Sequence, residues 1–109
     1  AYMDTAGMVG AGEGGSWMGG LIYGASPLQG ALTVDRCYLH CKELENCGSF
    51  ATQTAWMGGE AVIQKCQFRT LGFDGCPKVE NRYAPDTGIG WKYYVMYPLQ
   101  EDTPATCNL

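Results

Sequence analysis

The sequence predicts an α+β fold: one helix packed on a small, mostly antiparallel sheet, with cysteines joining the two layers. Three observations carry that expectation. One apolar stripe at the helical period occupies residues 34–44. Strand-prone runs follow at 49–56, 61–69 and 91–97. Six cysteines among 109 residues form an even set, at positions 37, 41, 47, 66, 76 and 107, as in small domains stapled by disulfides in an oxidising compartment.

The chain divides near residue 24. Residues 1–24 hold eight glycines, two acids (Asp4 and Glu13), no basic residue and no cysteine. They also carry Tyr2, Met3, Met8, Val9, Trp17, Met18, Leu21, Ile22 and Tyr23, too many large apolar groups for a solvated tail. This segment is expected to dock along something, either its own domain or a neighbour, with Leu21–Tyr23 as a short opening strand. Residues 25–109 are expected to form the disulfide domain.

The helix begins after Thr33, whose hydroxyl suits an N-cap, and Asp35 in the first turn suits the positive end of the helix dipole. Val34, Cys37, Tyr38, Cys41 and Leu44 share one face, with Arg36, His40 and Glu43 on the other. Asn46 and Gly48 mark the stop. A hairpin follows, its strands at 49–56 and 61–69 joined by Met57-Gly58-Gly59-Glu60. Strict alternation places Val62, Gln64, Cys66 and Phe68 toward the helix. Residues 72–90, rich in Gly, Pro and Asp, read as a long loop. The run Trp91–Tyr97 reads as a strand stopped by Pro98. Its Trp91, Tyr93, Val95 and Tyr97 are expected to face the core, which leaves Tyr94 and Met96 as a candidate interface.

Composition excludes several classes of function. Eleven acids against seven bases give a formal charge of -4, whereas nucleic-acid binders carry a basic face. No apolar run reaches the length of a membrane span. Structural zinc sites favour two close cysteine pairs, and here only Cys37 and Cys41 are close, so disulfides are expected and no metal or other cofactor. Residues 1–20 show neither a basic start nor a compact apolar block, and the chain opens on Ala1. With the cysteines, this suggests a processed mature protein or an excised domain in a secreted or extracellular setting.

Cys37-Tyr38-Leu39-His40-Cys41, then Cys47-Gly48-Ser49-Phe50, then Cys66-Gln67-Phe68, with the approach Leu32-Thr33-Val34-Asp35-Arg36, resemble the PAN/apple domain family over roughly residues 20–97. The family bears Cys-x3-Cys on a helix, a third cysteine shortly after with an aromatic three residues on, and a fourth on a hairpin strand. The resemblance implies bridges Cys37–Cys66 and Cys41–Cys47, which leaves Cys76 and Cys107 for each other. It implies an extracellular module binding protein or carbohydrate. The chain departs from the apple pattern in having no cysteine before Cys37, so the family's end-to-end bridge has no counterpart.

Catalysis is not expected. His40, the only histidine, falls on the polar helix face and reads as solvated, and oxidised cysteines are not nucleophiles. Glu43/Glu45 and Glu101/Asp102 read as solvated acids. Gly10–Gly15 lacks the Lys-Ser/Thr of a phosphate loop. Binding is expected to rest on aromatic and apolar groups: Trp91, Tyr94, Met96, Tyr83, Trp17 and Met18. Two readings follow. One is a non-enzymatic adhesion module with a protein or glycan partner. The other is a structural subunit that assembles with copies of itself into an extracellular filament or coat, residues 1–24 lying in a neighbour's groove.

Overall fold

A computed structural model describes residues 2–4, 15–22, 31–72, 76, 78–80, 82–84 and 88–96. The expected helix is α1, Val34–Glu43. Thr33 caps it by accepting a hydrogen bond from the Arg36 amide through Oγ1 at 3.1 Å, and the Leu44 amide closes its end on the carbonyls of His40 and Cys41. Asn46 then reverses the chain with φ 66, a left-handed conformation that asparagine tolerates better than most residues.

The expected hairpin is β3, Ser49–Met57, and β4, Glu60–Leu71. Gly58 and Gly59 make the turn with φ 59 and 86, the positive values that a tight hairpin loop needs to match the strand twist. The aromatic strand is β7, Ile89–Met96, starting two residues earlier than expected. Two findings correct the reading of residues 72–90 as a loop. This stretch contains β5, Lys78–Glu80, and β6, Arg82–Ala84.

The N-terminal segment also contributes strands: β1, Tyr2–Asp4, and β2, Gly15–Leu21. The expected Leu21–Tyr23 strand therefore lies earlier, and Tyr23 falls outside the described residues. Among the described residues the strands join in the order β1-β7-β3-β4-β2-β5, with β6 also pairing β7, and every pairing is antiparallel. Tyr2–Asp4 and Gly15–Leu21 thus lie against the chain's own β7 and β4. Gly72 is obligatory where β4 passes β2, because a Cβ there would collide with the Trp17 carbonyl and crowd the Met18 Cα.

Helix α1 covers one sheet face. Cys37 and Cys41 pack there with Cys47, Phe50, Cys66, Phe68, Tyr94 and Met96. Cys37–Cys66 ties the helix to β4 with Cα atoms 6.0 Å apart, and Cys41–Cys47 closes the helix exit at 5.3 Å. Cys76 is buried and also disulfide-bonded. Its expected partner Cys107 lies outside the described residues. No helix among the described residues is long and apolar enough to cross a membrane.

Candidate binding face

The cysteine at position 66 decides which way every neighbouring side chain points. Cys66 must face α1 to reach Cys37, and it opposes Thr52 on β3. Two residues on, Phe50 opposes Phe68 on one side and Tyr94 on the other. Alternation then puts Tyr94 and Met96 under the helix, where they are 7% and 4% exposed. This corrects the expected orientation of β7: Tyr94 and Met96 are core residues, and Tyr94 stacks on Phe50 with ring centroids 5.0 Å apart.

Trp91, Tyr93 and Val95 face the other way, and Tyr97 falls outside the described residues. On that second face Tyr93 packs with Ala51 and the buried Met18, with Trp91 partly buried beside them. Met18, another expected interface residue, is thus a core residue of the second face. Trp17, partly buried, opposes Lys78. Tyr83 opposes Gly90 at the start of β7.

What remains open on the second face centres on Trp91. Its ring lies near-parallel to Tyr93 at 6.4 Å, and the Lys65 ammonium sits 5.7 Å from its centroid. Gln53 stands directly opposite both Trp91 and Lys65, so β4, β3 and β7 present Lys65, Gln53 and Trp91 in one row. The next row holds Gln67, Ala51 and Tyr93, and Arg69 donates from Nε to the Gln67 side-chain oxygen at 3.1 Å and from a terminal nitrogen to the Gly19 carbonyl. Flat aromatic carbon therefore sits beside an amide and an ammonium.

The structure corrects two further expectations. Strict alternation along β4 fails because Gln53 opposes Lys65 while Thr54 opposes Ile63, so Gln64 is an extra residue, a β-bulge. Below it Ile63 and Ala61, not Val62 and Gln64, share the helix side of the sheet. His40 is not a solvated helix residue. Its ring lies 4.9 Å from Phe68, and its Nε2 is buried with no hydrogen-bond partner among the described residues. Residue 40 is three positions after Cys37, which was the available signal that it borders the buried stripe.

The sequence did not mark Tyr2 as a site residue. Its ring sits among Tyr38 at 5.1 Å, Phe50 at 5.5 Å and Tyr94 at 5.5 Å, and its hydroxyl donates to Asp35 Oδ1 at 2.7 Å. Hydrogen bonding to Asp35, then burial and the carboxylate's charge, push the phenol up to about 12. Asp4, two residues on, pairs with Lys92 at 3.0 Å. Together these side chains fix β1 on the edge of β7. Another overlooked feature is the far end of the β3–β4 hairpin, where Trp56 and Met57 are 63% and 51% exposed.

Among the described residues no group of three or more His, Cys, Asp and Glu is placed to hold a metal ion. No family model, curated protein or solved structure matches the chain.

Proposed function

We propose that the chain is a non-enzymatic adhesion module of the PAN/apple kind that works outside the cell and binds through the sheet face around Trp91. The supporting observation is the row Lys65–Gln53–Trp91 on an incompletely covered face. An indole offers its flat face to the C–H side of a saccharide ring, while the Gln53 amide and Lys65 ammonium have hydrogen bonds for its hydroxyls. The ammonium over the indole is on an exposed, flexible stem and can turn aside for a ligand. The disulfides Cys37–Cys66 and Cys41–Cys47 are compatible with an oxidising, extracellular setting.

A glycan array probed with the oxidised chain tests the reading. Saccharide binding lost on Trp91→Ala, with the melting temperature held within a few degrees, supports it. Binding unchanged by that substitution, or absent across the array, overturns it for carbohydrate.

A second reading, a subunit that assembles with its own copies, draws on a different observation. Trp56 and Met57 stand bare at the end of a two-stranded hairpin. Pairs of strands with neither face covered are marginally stable in water. Tyr2–Asp4 and Gly15–Leu21 occupy the chain's own sheet, so this reading places the contact on the hairpin.

A further inference from the structure

Met57, the last residue of β3, carries a contact that the hairpin itself does not require. Its Sδ accepts a hydrogen bond from the Gln64 side-chain amide at 2.7 Å. Gln64 is the bulge residue of β4. Alternation along β3 from Thr52, which opposes Cys66, turns Met57 to the side away from α1. Strict alternation from Cys66 would send Gln64 to the helix side instead. The bulge releases Gln64 from that alternation, and its amide reaches the sulfur.

Four of the five methionines lie among the described residues, and they differ in access. Met18 and Met96 are core residues, and Met3 is partly buried. Met57 is half-exposed, and beside it Gly58 and Gly59 stand where an added Cβ would meet nothing within 4 Å. Oxidation of a thioether needs a peroxide to reach a sulfur lone pair, so exposure decides which methionine reacts first.

The hydrogen bond adds a choice of product. A thioether sulfur has two lone pairs, and reaction at one or the other gives opposite sulfoxide epimers. The Gln64 amide occupies one of them, which leaves the other to a hydroperoxide. That lone pair forms the S–O bond as the peroxide O–O bond breaks. The departing oxygen takes the proton of the transferred hydroxyl and leaves as alcohol or water. The sulfur loses two electrons and the peroxide gains them.

We propose that Met57 is a site of reversible oxidation by hydroperoxides and that Gln64 fixes which sulfoxide epimer forms. The modification replaces a bare apolar group at the hairpin end with a polar one. Each class of methionine sulfoxide reductase removes one epimer, so Gln64 also decides which class restores the thioether. The inference goes beyond both readings above and depends on neither.

The test treats the full disulfide-bonded chain with hydrogen peroxide, with Met8→Leu because residue 8 lies outside the described residues. Peptide mass spectrometry locates each sulfoxide, and digestion with one or the other reductase class divides the epimers. Met57 sulfoxide should form at least about tenfold faster than that of Met18 or Met96, and ahead of Met3. One epimer should be in about threefold excess, as a weak hydrogen bond allows. Gln64→Leu and Gln64→Glu, both at an exposed position, remove the donor. Each should leave Met57 the fastest to react and bring its epimers to parity. A Met57 that reacts no faster than Met18 or Met96 overturns the site. Equal epimers in the parent, or an excess that persists in both Gln64 variants, overturn the role of Gln64.

Discussion

Replacing Tyr2 with phenylalanine removes a single oxygen and leaves the ring among Tyr38, Phe50 and Tyr94. The oxygen lost is the one that donates to Asp35 at 2.7 Å. In the folded chain that phenol titrates at about 12, against the ordinary value of 10.0. The folded state therefore holds the proton over a range where the unfolded chain has released it. The stabilisation is fully present below pH 10 and is lost as the pH rises toward 12. Two units correspond to at most about 2.7 kcal/mol, and solvent screening of a bond near the surface reduces this to about 1 kcal/mol. Urea unfolding of parent and Tyr2→Phe at pH 8 and pH 11 measures it, and the subtraction cancels the titration of the other tyrosines and the lysines. The parent should be more stable by about 1 kcal/mol at pH 8, with most of that margin gone at pH 11. A margin equal at both pH values, or none at pH 8, would refute the assignment of the hydrogen bond. Tyr2→Ala also forfeits three ring contacts and should cost about 2–4 kcal/mol in total.

Three other outcomes are expected. The double variant Cys37→Ala/Cys66→Ala opens a loop with sequence separation 29, and Cys41→Ala/Cys47→Ala one of 6; chain entropy makes the losses about 3.6 and about 2.2 kcal/mol, and urea midpoints in the reverse order would contradict the account. His40→Leu removes the buried Nε2 that has no hydrogen-bond partner among the described residues and should be neutral or stabilising by about 1 kcal/mol, measured by thermal melting. Gly72→Ala drives a methyl into the Trp17 carbonyl and should destabilise by about 1–3 kcal/mol, where an unchanged melt would show that β2 can move aside.

The helix and the hairpin were legible because their signals are local. Thr33, the 34–44 stripe and the Gly58-Gly59 turn each act within a few residues, and the structure places α1 and the β3–β4 turn accordingly. Strands β1, β5 and β6 were not legible. Each has three residues, too few to display a period, and each exists because a longer strand lies beside it. The orientation of β7 was misread for a different reason. Both of its faces carry bulky groups, so its own sequence is nearly silent, and the choice is made by Cys66 through the register of two other strands. The Gln64 bulge has no local mark either, lying in a run where a glutamine suits an inside or an outside position equally little. Of the expected binding residues, Trp91 retains partial exposure, while Tyr94, Met96 and Met18 are buried. Large aromatic and thioether side chains look alike in a sequence whether they line a core or a surface.

The order of the strands has a consequence for how the molecule comes into being. Tyr2, near the start of the chain, pairs with Met96, near its other end, while the two bridges tie α1, its exit and β4 within residues 37–66. Contacts so distant along the chain are slow to form. The helix and hairpin can collapse and oxidise while β7 is still to be synthesised, but β1 has no strand to pair with until β7 lies beside β3. Closure of the β1 edge therefore follows the seating of β7. Its reversal should also precede global unfolding, because three residues held by noncovalent contacts open before a stapled interior does. In native-state hydrogen exchange the β1 amides should trade with solvent at a free energy well below that of global unfolding, making the beginning of the chain a separate cooperative unit from its middle.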